Sequence, residues 1–365
     1  MVTKYVPDYI KTLTPYPPGK PIEELERELG ITGSIKLASN ENPLGPSPKA
    51  LAAIEKRAKD LHRYPDGSSY YLKERLSRHL GVGPDHLIVG NGSNEIIEFL
   101  IRLLVREGDE VVMGDPSFIV YRLINQAVGG KNVIIPLKNW NFDLDAMKAA
   151  ITRRTRLVFI DSPNNPVGTV VSQADFARFM EGLPDHLLVV LDEAYREFVT
   201  DDKAVDFFSF MKKGYPVISA RTFSKAYGLS GIRMGYGIAV PEIVSLLERV
   251  RQPFNTNSLA QAAATAALDD EEFLQHTLSV TREGLSYLYG QFEEMGLSYV
   301  PSQTNFVLVD VGKPANEVYQ AMLREGVIVR SMASYGLMTH ERITVGTMAE
   351  NERLVRALRK VLKKG

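Results

Sequence analysis

Two periodicities alternate through the middle of the chain. Short apolar runs stand at His86-Leu87-Ile88-Val89, Glu110-Val111-Val112-Met113, 132–137, Leu157-Val158-Phe159-Ile160 and Leu187-Leu188-Val189-Val190-Leu191. Between them, over 94–106, 118–127 and 172–181, apolar residues recur every three or four positions, the spacing of a helix with one buried face. Strand followed by helix, repeated, predicts an open and mainly parallel sheet, doubly wound, because parallel neighbours need a crossover between them. The run from Leu187 to Leu191 has no polar break and reads as a strand buried on both faces. Pro216-Val217-Ile218-Ser219 and 234–239 add two further strands.

The pattern differs at both ends. Pro15, Pro17, Pro18 and Pro21 remove backbone donors and fix φ, so the opening arm is expected to hold no regular structure before a short helix over 22–29. Helices are predicted over 48–61 and 72–80, interrupted by the turn Arg63-Tyr64-Pro65-Asp66-Gly67. After helices at 241–250 and 258–268, a long amphipathic helix over 272–295 precedes strands at 306–311, 327–330 and 342–345. The terminal helix carries Leu354, Leu358, Val361 and Leu362 on one face. The expected organisation is an N-terminal arm (1–36) associated with a smaller α+β domain (251–365), and a large domain over 37–250.

Composition narrows the function. Over 365 residues the formal charge is −1, which leaves no global field for nucleic acid or an anionic membrane and favours a small-molecule role. The absence of cysteine excludes disulfides and thiolate chemistry and fits a reducing cytoplasm. The six histidines show no metal-binding spacing. Residues 1–12 lack the apolar core of a signal peptide, and no run is long enough to span a membrane. A cytoplasmic location is expected.

In open parallel sheets ligands bind beyond the C-terminal strand ends, so the residues after each strand are the candidates. Gly90-Asn91-Gly92-Ser93-Asn94-Glu95 leads into a helix and could cradle a phosphate, although a glycine turn capped by Ser93 or Asn94 accounts for it equally. Phe118, in Asp115-Pro116-Ser117-Phe118, could cover a planar ligand or belong to the core. Consecutive amides occur in Asp161-Ser162-Pro163-Asn164-Asn165-Pro166, and Asp192-Glu193-Ala194-Tyr195 supplies a carboxyl and a phenol. Asp192 is either a ligand group or a paired structural carboxylate. Last comes Arg221-Thr222-Phe223-Ser224-Lys225, with Arg233 eight residues on and Gly228 and Gly231 between. A phosphate cradle, a stacking ring, an amide, a carboxylate, a phenol and a lysine at one sheet edge match pyridoxal 5′-phosphate better than other cofactors.

On these motifs, with Ala38-Ser39-Asn40-Glu41-Asn42-Pro43 and Arg342-Ile343-Thr344-Val345-Gly346-Thr347, the chain resembles aminotransferases of fold type I, and among them the histidinol-phosphate aminotransferase family. The resemblance implies that Lys225 bonds the cofactor and then moves a proton as general base, its amine kept neutral by burial and by Arg233. It implies that Asp192 pairs with the pyridinium nitrogen and that Asn165 and Tyr195 bond the phenolic oxygen. Ser93, Asn94, Thr222, Ser224 and Arg233 would hold the phosphate, and Phe118 would stack where relatives often carry tyrosine. A homodimer is implied, with Tyr64 reaching the phosphate across the interface. Arg342 would bind the substrate carboxylate and Arg330, on the same strand as Ile328, a second anion. Tyr16 and Asn42 would line the pocket from the arm. The implied reaction is ping-pong transfer of an amino group from histidinol phosphate, the amino donor, to 2-oxoglutarate, the 2-oxo acid acceptor. Threonine-phosphate decarboxylases and aromatic aminotransferases share these motifs, and a non-catalytic ligand sensor is a remoter alternative, disfavoured by an arm too short for a DNA-binding module.

Overall fold

The computed structural model describes residues 1–16 and 18–363. In chain order its strands are β1 (Ile35–Lys36), β2 (Leu87–Gly90), β3 (Glu110–Asp115), β4 (Lys131–Pro136), β5 (Thr155–Asp161), β6 (Leu188–Asp192), β7 (Val217–Thr222), β8 (Gly235–Ile238), β9 (Ser298–Val300), β10 (Phe306–Asp310), β11 (Val327–Ile328), β12 (Arg330–Ser331) and β13 (His340–Thr344). A seven-stranded sheet has the order β2-β8-β7-β6-β5-β3-β4. Only β8 runs antiparallel to its neighbours, so the expectation of a mainly parallel, doubly wound sheet holds.

Side chains alternate across this sheet with period two. Val112, Val158, Ile160, Val189 and Leu191 pack on one face against Phe176, Phe207, Phe210 and the alanines of the Ser258–Ala267 helix. Val111, Met113, Leu157, Leu188 and Val190 pack on the other, against Ile96, Ile97 and Leu100 of the Ser93–Leu104 helix. Both faces are therefore covered, as the uninterrupted apolar strands require.

A second, four-stranded antiparallel sheet has the order β12-β13-β10-β9. The long Glu271–Glu294 helix links the two cores: Leu274 packs with the large sheet, while Leu285, Leu288 and Phe292 pack with the small one. The arm packs on the core of the small sheet through Leu37, and its β1 pairs in parallel with β11 as a separate two-stranded sheet.

Some local features departed from expectation. The predicted strand at 327–330 is two strands: Val327–Ile328 pairs with β1, and beyond Val329 the chain shifts so that Arg330–Ser331 pairs with β13. Arg330 therefore belongs to a different sheet from Ile328. Short helices at Asp8–Lys11, Leu144–Ala149, Phe207–Lys212 and Ala315–Arg324 were not expected. Three of them are six residues or shorter, too brief to display a helical period. Two begin at an aspartate, where Asp143 accepts from the Ala146 N–H at 3.0 Å and Asp206 from the Phe208 N–H at 3.1 Å.

Candidate active site

Strands β2, β3, β5, β6 and β7 deliver their C-terminal ends to one edge, and a cavity of about 220 Å3 opens there. Its walls also include Tyr16 and Gly19 of the arm, Ala38 to Asn40, and Arg330 and Arg342 of the small sheet.

One end of the cavity is built for an anion. Gly92 starts the Ser93–Leu104 helix at φ 72°, and Ser93 and Asn94 line the cavity from its first turn. That helix end has no side-chain cap, so its N–H groups are available to a ligand. Arg233 sits in the left-handed region at φ 59°, a conformation unfavourable for a residue with a Cβ. Its guanidinium donates to Ser224 Oγ at 3.2 Å, and the Thr222 and Ser224 hydroxyls lie 3.0 Å apart. A Cβ on Gly92 would run into the Arg233 guanidinium, and one on Gly235 into the backbone of Gly92 and Ser93. Gly228, at φ 68°, passes so close to the Gly45 carbonyl that no Cβ fits, whereas Gly231 meets nothing and needs no such freedom.

The acid–base groups lie beside it. Lys225 Nζ donates to the Ser39 carbonyl at 3.2 Å and stands 5.7 Å from the centre of the Tyr195 ring. Burial first, then the Arg342 and Arg233 cations, push its pKa down to about 8 against the pull of Glu41 and Asp192. Arg342 thus outweighs Arg233, the cation singled out from sequence. Asp192 is buried, with Oδ2 accepting from the Tyr121 hydroxyl at 2.7 Å and Oδ1 from the Ala194 N–H at 3.1 Å. Burial raises its pKa to about 6 despite these donors. Asp161, its neighbour in register on β5, accepts from the Asn165 N–H at 2.8 Å and is pushed up to about 8 by burial.

The phenol and the small-sheet cations complete the walls. Asn40 Nδ2 donates to the Tyr195 hydroxyl at 2.8 Å. Arg342 donates to Asn165 Oδ1 at 2.6 Å and to the Ala38 carbonyl at 2.7 Å, while its buried Nε has no partner. Arg330 and Arg342 face each other in register on β12 and β13, and the Arg330 guanidinium lies 5.8 Å from the Tyr16 ring centre. Like charges directly opposite destabilise a strand pair. An anion between them would relieve that cost.

A family model, aminotransferase class I and II, matches residues 32–358. The chain belongs to that family. Histidinol-phosphate aminotransferase of Moorella thermoacetica is 50% identical over 97% of this chain and 92% of its own length. That of Desulfotalea psychrophila is 49% identical over 98% and 95%. The crystal structure of histidinol-phosphate aminotransferase from Sinorhizobium meliloti in complex with pyridoxal-5'-phosphate superposes with a TM-score of 0.90 at 32% identity, covering 98% of this chain and 97% of that one.

The cavity of this aminotransferase gathers every site residue expected from sequence except Asn42 and Tyr64. Asn42, expected in the pocket, turns away from it and donates to the Ala226 carbonyl at 3.0 Å and to Thr277 Oγ1 at 3.1 Å. Its neighbour Asn40, in the left-handed region at φ 55°, lines the cavity instead. Tyr64 is 80% exposed and stacks on Phe254 at 4.9 Å. Phe118 does line the cavity, edge-on to Tyr121 at 5.5 Å. Sequence reasoning missed Tyr121, Asp161 and Asn40. Tyr121 was absorbed into the helical period of 118–127, where an aromatic residue reads as core; Asp161 was visible as the residue directly after the apolar run Leu157-Val158-Phe159-Ile160, at the end of β5.

Proposed function

We propose that the chain transfers the amino group of L-histidinol phosphate to 2-oxoglutarate, using pyridoxal 5′-phosphate held at Lys225. The observation that carries the substrate choice is the opposed pair Arg330 and Arg342, both on the cavity wall, with a buried guanidinium nitrogen of Arg342 left unpartnered. A planar guanidinium fork suits a carboxylate or a phosphate, so one pocket can receive the phosphate of the donor and a carboxylate of the acceptor in turn. The names of the relatives at about 50% identity support the same substrate.

The donor set fits the cofactor. Ser93, Asn94, Thr222, Ser224 and Arg233 would hold its phosphate, and the Asp192 carboxyl would pair with its pyridine nitrogen. Asn165 gives its Oδ1 to Arg342, which leaves its amide hydrogens for the phenolic oxygen beside the Tyr195 hydroxyl. When bound, pyridoxal phosphate supplies an aldehyde carbon that takes up the amino group and a ring that withdraws electrons from Cα. Lys225 Nζ, freed when the substrate amine takes its place, would accept the Cα proton and pass it on, a role that needs a neutral amine near pH 7–8. Tyr121 and Ala194 keep Asp192 oriented and favour its charged form.

The active form in this reading is a homodimer in which Tyr64 of a second copy reaches the phosphate site. Tyr64 is outside its own chain's cavity, and exposed Leu61, Tyr70, Tyr71 and Phe254 accompany it. Mixed dimers of Tyr64→Ala and Lys225→Ala chains are expected to recover activity that neither variant has; no recovery on mixing counts against the shared site.

The substrate is tested by half-reactions. Histidinol phosphate changes the visible absorption of the bound cofactor, and 2-oxoglutarate reverses the change. Carbon dioxide release from threonine phosphate without that half-reaction overturns the proposal in favour of a decarboxylase.

A further inference from the structure

Hydrogen-bond direction around Tyr195 is fixed from outside the cavity. The Asn40 backbone N–H donates to Thr344 Oγ1 at 2.9 Å, and that hydroxyl passes its own proton to Asn40 Oδ1 at 3.0 Å. The Asn40 carbonyl oxygen also accepts from Asn305 Nδ2 at 3.1 Å. With Oδ1 occupied as an acceptor, the amide end of Asn40 faces Tyr195 and donates to its hydroxyl at 2.8 Å. A phenol carries one proton and accepts through its lone pairs. Because Tyr195 accepts from Asn40, its own proton is left for the cavity. Asn40, Thr344 and Asn305 are each 2% exposed or less, so water does not compete for these bonds.

We infer that Asn40 is a positioning residue: held by Thr344 at the end of β13, it makes Tyr195 a donor into the cavity and thereby sets the electronic state of the cofactor's phenolic oxygen. The inference rests on the proposed function, in which Tyr195 faces that oxygen. A donor there stabilises the state in which the oxygen carries full negative charge, and so lowers the pH midpoint of the bound cofactor's visible absorption. A second donor behind the phenol strengthens the first, since bonds in a chain polarise one another. Asn40 lines the cavity as well, so the double variant separates its effect through Tyr195 from a direct one, and the clamp that orients it belongs to the small sheet.

The test is an absorption-detected pH titration of holoenzyme in four proteins: parent, Tyr195→Phe, Asn40→Gly and the double variant. Glycine accepts the left-handed backbone of residue 40 and keeps the N–H to Thr344. Tyr195→Phe is expected to raise the midpoint by roughly 0.5–1 pH unit, the worth of one hydrogen bond. Asn40→Gly should raise it by part of that amount, and by nothing further when combined with Tyr195→Phe. A midpoint unmoved by Asn40→Gly while Tyr195→Phe moves it overturns the inference. So does an equal shift in both backgrounds, which means that Asn40 acts other than through Tyr195. If Tyr195→Phe itself leaves the midpoint unchanged, the proposed placement of the phenol fails and this inference fails with it. Should Asn40→Gly not fold, Asn40→Asp gives the same reading. A carboxylate accepts the Tyr195 proton, so its shift should exceed the shift the same substitution causes in the Tyr195→Phe background; equal shifts overturn the inference.

Discussion

At the edge of the large sheet, several site groups have a partner close to them in sequence, whereas the small sheet holds its two arginines across long stretches of chain. Asp192 accepts from Ala194, Thr222 meets Ser224, and Asp161 accepts from Asn165. Arg342 instead reaches back to Ala38 and Asn165, and Arg330 opposes it only because β12 pairs with β13. Those contacts of the cofactor end form as each strand ends, and Ser39 and Asn40 complete it at Lys225 and Tyr195. The substrate end exists only once the arm, the loop after β5 and the small sheet have come together. Changes at the large-sheet strand ends should therefore alter chemistry, and changes at the two small-sheet arginines should alter substrate affinity.

The largest expected effect is at Lys225. Lys225→Ala should lower turnover by about 10^4-fold or more, because both the covalent attachment and the proton transfer lose their group. In the parent apoprotein, capture of pyridoxal phosphate should accelerate as pH rises through about 8, where the buried amine loses its proton. The sign follows from the depressed pKa: an ordinary lysine would need a pH above 10. A capture rate that keeps climbing about tenfold per pH unit beyond pH 9 without levelling off, followed by stopped-flow absorbance, would show that burial and Arg342 do not depress it.

Asp192 comes next. Asp192→Ala should retain cofactor through the phosphate contacts yet lose roughly 10^2–10^3-fold in turnover, since the ring nitrogen loses its carboxylate. Tyr121→Phe keeps the ring stacked on Phe159 at 4.4 Å and removes only the hydroxyl. Its expected cost is about 10-fold in kcat with KM little changed, consistent with a buried carboxylate losing one of two donors. Near-normal turnover in Asp192→Ala would break the chemical half of the comparison.

On the small sheet, Arg342→Lys should raise KM for both substrates by roughly 10- to 100-fold with a smaller change in kcat, because an ammonium cannot reproduce the bidentate fork. The same variant removes no phosphate contact, so cofactor affinity should stay within about threefold. A kcat loss as large as that of Asp192→Ala would erase the distinction between the two sheets.

That distinction also explains how far the sequence could be read. Strand-end residues are adjacent to the apolar runs that predict the strands, so Asp192, Asn165, Thr222, Ser224 and Lys225 could be placed at one edge before any coordinates. Arg330 and Arg342 were singled out by resemblance, but the break at Val329 that sets Arg330 opposite Arg342 depends on pairing with β1 and β13, which no local pattern encodes. Asn40 and Asn42 differ in their long-range partners, Tyr195 and Thr344 for one and Ala226 and Thr277 for the other, and Tyr121 was hidden because a helix period does not reveal that a core ring carries a working hydroxyl.

The smallest expected effect lies beside Arg342 on the same strand. Glu341 is 1% exposed and neither of its carboxyl oxygens has a hydrogen-bond partner, so burial raises its pKa to about 8. The folded state binds this proton more tightly than the unfolded chain does. Its stability contribution is therefore fully present below the ordinary glutamate range and is lost as pH rises through about 8. Glu341→Gln removes the ionisation and keeps the shape. Thermal unfolding should find the variant and the parent alike near pH 4, with the variant more stable above pH 8 by on the order of a few kcal/mol at most. Substrate affinity should not follow, because successive residues on β13 face opposite sides of the sheet and Glu341 does not line the cavity. A parallel change in KM would mean that the small sheet transmits its packing to Arg342. The two functions of that strand, filling a core and holding an anion, would then not be separable.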